Sequence, residues 1–168
     1  MTEAPGLAAR IVAEMRGRGL TLAVAESLTG GLVMAALTDV PGASAVLRGG
    51  PVVYATDTKV SELGVDAQLL ASQGPVNPHV AEAMAAGVRA RWQADLGLAT
   101  TGVAGPERQA GRPVGEVYLG VADATGARSL SCSLDKVGDR SAIRREAARQ
   151  ALIALAAHLG VAGEASAG

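Results

Sequence analysis

A serine flanked by small and hydroxyl residues stands out first, in Ala25-Glu26-Ser27-Leu28-Thr29-Gly30-Gly31. Ser27 can act in two ways. As a helix cap, its hydroxyl accepts a backbone N–H of the following first turn, and Thr29 can do the same. As a nucleophile, it needs a neighbouring base and a set of donors for the developing oxyanion. The two glycines favour the second role too, because they let a ligand approach free N–H groups where the helix dipole attracts negative charge. The turn by itself does not choose between a phosphate and an acyl oxyanion.

The choice of base narrows the chemistry. His79 opens a helical stretch and His158 lies near the end of the last one, so neither suits a Ser-His-Asp triad. Lys59 is a surface lysine by default. In a closed apolar pocket, however, it can lose its proton near neutral pH and serve as the base. Tyr54, five residues before it, is either a strand aromatic or a hydroxyl that orients the lysine. Thr100 and Thr101 are strand formers whose hydroxyls can also bind substrate. The run Thr101-Gly102-Val103-Ala104-Gly105-Pro106 lacks the lysine of a phosphate-binding P-loop. Arg140, Arg144 and Arg145 open the last helix, where cations oppose the dipole and so hint at an anionic ligand, although a solvated face explains them as well. No His, Cys and carboxylate cluster has metal-ligand spacing, and neither a metal nor a cofactor is expected.

These residues must be carried by regular elements. Leu7, Ile11, Val12 and Met15 predict an amphipathic helix over about residues 5–18. Leu20–Val24 reads as a buried strand feeding the serine turn, and Leu32–Leu37 as the helix after it. A second strand, Gly50–Tyr54, delivers Tyr54 to its end, with Asp57 as the cap of the next short helix. Gly64–Pro78 reads as short helix plus loop. His79–Trp92 carries an apolar helical stripe at Val80, Met84, Val88 and Trp92. A third strand, Leu96–Thr100, runs into the Thr101–Pro106 loop. Strands over 117–122 and 129–134 are joined at Ala124-Thr125-Gly126, a hairpin signal. The last helix covers about 140–159, and a small-residue tail follows Gly160. Helices alternating with strands early and a hairpin late predict an α/β fold: a three-layer α/β/α sandwich on a mixed, mostly parallel sheet of about five strands. Three polar clusters then fall beyond strand ends, where such sheets bind ligands.

Composition sets the outer limits. The 168 residues fit one domain with a core over about 5–159. Hydrophobic residues make up 49% but aromatics only 2%, with 22 glycines, so the core must close-pack small side chains. Net charge is −1 from 15 basic and 16 acidic residues, which offers no footprint for a phosphate backbone; nucleic-acid binding is not expected. One cysteine, Cys132, excludes an internal disulfide and suits a reducing compartment. No signal peptide or membrane span is legible, so a cytoplasmic protein without membrane contact is expected. Ala-rich helices suggest a homodimer.

Taken in order, the Glu-Ser-x-Thr-Gly-Gly motif at 26–31, Tyr54 with Lys59, Gly102-Val103-Ala104-Gly105-Pro106, Pro113-Val114-Gly115, and Gly138-Asp139-Arg140 with Arg144 resemble the CinA C-terminal domain family. The resemblance covers residues 5–159 and implies the stand-alone form, without the N-terminal pyrophosphatase domain of some CinA proteins. It implies a serine amidohydrolase that converts nicotinamide mononucleotide (NMN) and water to nicotinate mononucleotide and ammonia. Its Ser/Lys pair maps onto Ser27 and Lys59, with Tyr54 beside them. Substrate binding is then expected of Glu26, Thr29, Gly30, Gly31, Thr100, Thr101, Gly102, Gly105, Arg140 and Arg144, with oxyanion donors among the N–H groups of Thr29 to Gly31. The chain departs from the family at Glu107-Arg108-Gln109, where Asp-Gly-Gly is frequent, at Thr56, where Asn is usual, and at Asn77, where Ser is common. The rival reading is a non-catalytic nucleotide-binding or protein-interaction module, in keeping with the family's competence and damage-inducible label.

Overall fold

The computed structural model describes residues 3–161, with side chains from residue 6 onward; most of the tail expected after Gly160 lies outside that range. One mixed five-stranded sheet has the order β2-β1-β3-β4-β5. The strands are β1 (Leu22–Ala25), β2 (Leu47–Gly49), β3 (Leu96–Gly102), β4 (Glu116–Asp123) and β5 (Gly126–Ser133). β1 pairs in parallel with β2 and β3, whereas β4 runs antiparallel to both β3 and β5. Four strands therefore point one way and β4 alone runs against them.

Strand alternation assigns the two faces. Leu22, Val24, Leu96 and Leu98 point toward α1 (Glu3–Arg18), α2 (Leu32–Thr38) and α6 (Arg140–Leu159), where Ile11, Met15, Val33, Leu37, Leu152 and Leu155 complete one core. Ala23, Ala25 and Ala99 point the other way, toward α3 (Thr56–Leu63), α4 (Ala67–Gln73) and α5 (Pro78–Arg91), with Val80, Met84 and Val88 opposite them. The result is the three-layer sandwich. Small residues let the layers close: a Cβ on Gly87 of α5 would stand 2.1 Å from the Leu63 carbonyl oxygen, so glycine there permits α3 to sit against α5. Two-residue closure of the β4–β5 hairpin is secured by the Asp123 carboxylate, which accepts the N–H and hydroxyl of Thr125 at 2.7 and 2.6 Å.

Two expectations are corrected. The second strand is Leu47–Gly49 rather than Gly50–Tyr54. Gly50, at φ +147°, passes so close to β1 that a Cβ would lie 1.8 Å from the Val24 carbonyl oxygen, and the chain leaves the ladder there. Beyond it only Val52 bridges Glu26, in parallel, with Glu26 N–H donating to Pro51 O and Val53 N–H to Glu26 O at 3.0 and 2.8 Å. Asp57 does not cap α3. Ala55 occupies that position without a side-chain hydrogen bond, and Asp57 lies in the first turn, where its charge still favours the dipole.

Candidate active site

β1 is the point where the topology reverses: β2 lies on one side of it and β3 on the other. Ligands of open α/β sheets bind beyond the carboxyl ends of strands at such a point. Here an open cleft lies at that point. Ser27 and Leu28 line it from the β1 turn, Tyr54 and Lys59 from the segment after β2, and Thr101 to Gly105 from the end of β3. Pro75 and Val76 add an apolar wall, while Glu107, Gln109 and Arg140 stand at the rim.

At its floor, Lys59 Nζ lies 3.2 Å from Ser27 Oγ and donates to the Val53 carbonyl at 2.7 Å. Lys59 is 1% exposed, the bulkiest among the side chains most deeply buried. No acidic group pairs with it among the described residues. Burial pushes its pKa from 10.5 down to about 8, because the charged form is denied water. The backbone places the pair: the Glu26–Val52 bridge sets Val53 beside Ser27, and α3 then turns Lys59 back over both. Lysine, hydroxyl and carbonyl thus meet although 32 residues separate Lys59 from Ser27.

The serine turn is held from several sides. Its own closure is the Gly30 N–H to Ser27 O bond at 3.1 Å. Thr100 Oγ1 accepts the Ser27 N–H at 3.3 Å and lies 2.8 Å from the Thr29 hydroxyl. Alternation along β3 explains the division of labour, since Thr100 faces the α2 side and Thr101 the α5 side, where its hydroxyl donates to Pro75 O at 2.6 Å. Arg144, one turn into α6, donates to the carbonyls of Leu28 and Thr29 at 2.8 and 3.2 Å. Arg140 donates to the Tyr54 hydroxyl at 2.5 Å and to the Gly105 carbonyl, which joins α6 to both lips of the cleft.

Several expected site residues do other work. Glu26 points away from the cleft: its carboxylate accepts the N–H groups of Gly31 and Val33 at 2.9 and 3.2 Å, and of Met34 at 2.8 Å. It, and not Ser27 or Thr29, caps α2, whose N-cap residue Gly31 has no side chain to do so. Gly30 and Gly31 therefore donate their N–H groups inside the protein, to the Ser27 carbonyl and the Glu26 carboxylate. Within the turn, the N–H groups of Leu28 and Thr29 make no hydrogen bond among the described residues, and Leu28 lines the cleft. Thr29, Thr100 and Arg144 support the turn without lining the cleft. Tyr54, Thr101, Gly102, Gly105 and Arg140 do line it. Asn77 departs from the family's usual Ser without touching the cleft: it caps α5 by accepting the Val80 N–H at 2.9 Å, a task either residue performs.

Sequence reasoning missed the Val53 carbonyl, a backbone atom with no side-chain signature, while Glu107 and Gln109, noted there as departures from the family pattern beside the pocket, do line the cleft. Among the described residues no group of His, Cys, Asp and Glu could hold a metal ion, and no helix is long and apolar enough to cross a membrane.

The geometry has counterparts among known proteins. The family model for the CinA C-terminal domain matches residues 5–159. A CinA-like protein of Frankia casuarinae is 56% identical over 135 residues, which are 80% of this chain and 31% of that protein. One from Gloeobacter violaceus is 49% identical over 80% of the chain and 32% of its own length. The chain thus spans about a third of the length of these curated relatives. Among solved structures, the competence/damage inducible protein CihA from Agrobacterium tumefaciens superposes with a TM-score of 0.88 at 37% identity, covering 94% of this chain and 96% of that one. The CinA superfamily protein KP700603 from Klebsiella pneumoniae superposes equally well, at 30% identity, with 94% and 98% covered.

Proposed function

The chain belongs to the CinA C-terminal domain family, and from that footing we propose that it is a serine amidohydrolase that deamidates NMN to nicotinate mononucleotide. One observation carries the reading: a buried lysine without an acidic partner lies 3.2 Å from a serine hydroxyl on the floor of an open cleft. Burying an ammonium is unfavourable, and stability alone gives no reason to keep one there. A neutral amine beside a hydroxyl is what a serine nucleophile requires.

In the proposed reaction the neutral Lys59 amine keeps a hydrogen bond to Val53 O and turns its lone pair toward Ser27 Oγ. The Ser27 oxygen attacks the carboxamide carbon as Lys59 takes its proton. Charge on the carbonyl oxygen is met by the Leu28 N–H, with the Thr29 N–H beside it, in place of Gly30 and Gly31. Lys59 passes its proton to the leaving nitrogen, ammonia departs, and an ester links the nicotinoyl group to Ser27. Water, deprotonated by Lys59, cleaves that ester and restores both residues. Arg140, at the rim and without an acidic partner among the described residues, suits the substrate phosphate.

The test is a product assay. Incubating NMN with the full chain should release ammonia and nicotinate mononucleotide in equal amounts. Binding of NMN without either product would favour the nucleotide-binding module instead.

A further inference from the structure

Besides the Tyr54 phenol, three side chains of basic or acidic type line the cleft: Lys59, Arg140 and Glu107. None forms an ion pair among the described residues, even though Glu107 follows closely on Gly105, whose carbonyl Arg140 holds. The carboxylate and the guanidinium share one rim, kept apart rather than neutralising each other. Such a rim complements a ligand that itself carries separated charges of both signs. Glu107 is also the sole acid of the cleft among the described residues, so a cation on the ligand finds one acidic partner there. An oxidised nicotinamide N-glycoside bears a positive charge on its ring; the reduced 1,4-dihydro form has nearly the same outline and an uncharged ring.

Resting on the amidohydrolase reading of the same cleft, the geometry points to Glu107 as a specificity residue that selects the oxidised, cationic pyridine nucleotide over its reduced form. Arg140 takes the phosphate that both forms share, so the discrimination falls to the ring. Glu107 is exposed, which keeps the effect moderate: an exposed ion pair corresponds to about fivefold in affinity, and salt should shrink it.

Binding, not turnover, isolates this effect, because the ring charge also alters how readily the carboxamide is attacked. Calorimetric titration of the full-length Ser27→Ala protein with NMN and with its 1,4-dihydro form provides the readout. The oxidised nucleotide should bind about fivefold more tightly at low salt. Adding Glu107→Gln should abolish that preference without loss of folding, and adding Glu107→Lys should reverse it. Equal affinities in the Ser27→Ala protein, a preference that survives Glu107→Gln, or binding of neither nucleotide would overturn the role of Glu107. Ammonia release by the unaltered protein is measured separately: if it is nil while the Glu107-dependent preference holds, the hydrolytic reading fails and the specificity stands.

Discussion

The hydroxyls of Thr29 and Thr100 lie 2.8 Å apart, both fully buried, at the seam where the serine turn meets the end of β3. Thr100 also accepts the Ser27 N–H, so one side chain orients the turn through two bonds. Thr100→Val keeps the shape and strands two buried polar groups, the Ser27 N–H and the Thr29 hydroxyl. It should cost about 2 kcal/mol of stability. It should also lower kcat more than it raises KM, since Thr100 is a positioning residue that does not line the cleft. Thr29→Val combined with Thr100→Val should recover part of the stability but not the rate. Urea unfolding with steady-state kinetics on the three variants decides this, and a rate that recovers along with stability would argue against positioning.

Glu26 makes a contrasting case. Its carboxylate serves three N–H groups at the start of α2. Glu26→Gln, with one accepting oxygen and no charge, should lose about 1–2 kcal/mol of stability. KM for NMN should stay near the wild-type value. A large rise in KM with unchanged thermal midpoint would return Glu26 to the binding site.

The lysine makes pH a double probe. Only the neutral amine accepts a proton, so kcat/KM should rise with pH through an apparent pKa near 8 and level off above it. Stability follows the same group. Between pH 8 and 10.5 the unfolded chain holds more protons on Lys59 than the folded one does, so folding gains stability as pH rises. Below pH 8 burial of the ammonium costs about 3 kcal/mol. The difference in unfolding free energy between wild type and Lys59→Met should therefore grow in favour of wild type by about that amount from pH 7 to pH 10.5. A flat activity profile across pH 7–9 would exclude Lys59 as the base.

Arg140 holds both lips of the cleft and faces the expected phosphate. Arg140→Met should raise KM for NMN by about tenfold or more and leave the weaker turnover of the phosphate-free riboside nearly unchanged. Arg140→Lys should restore part of the loss, because charge returns without the fork that reaches Tyr54 and Gly105 together. Equal losses with both substrates would assign Arg140 to loop geometry alone.

Much of the fold was legible in the sequence because period and turn chemistry are local. Apolar spacing located the helices that became α1, α5 and α6, and Ala124-Thr125-Gly126 marked the hairpin. The misplaced second strand shows the limit. Gly50-Pro51-Val52-Val53-Tyr54 has strand-like composition, but a steric constraint at Val24 decides where the ladder ends. At the site, Ser27, Tyr54 and Lys59 could be singled out as residue types beyond strand ends. Their approach depends on a parallel bridge between Glu26 and Val52 that has no sequence signature. Nor does the sequence mark the backbone N–H groups that Glu26 holds at the start of the helix beginning at Leu32. Thr100 and Thr101 look alike in sequence, and only strand alternation separates the support from the cleft wall.

The Ser27–Lys59 pair is tested most directly by initial rates of ammonia release from NMN for wild type, Ser27→Ala, Lys59→Met and the double variant, each first confirmed as folded. Either single change should remove nearly all turnover, and the double variant should be little worse than each, because members of one catalytic unit are not additive. Losses that multiply in the double variant, or a Ser27→Ala protein that releases ammonia at the wild-type rate, would contradict a shared role for the two residues.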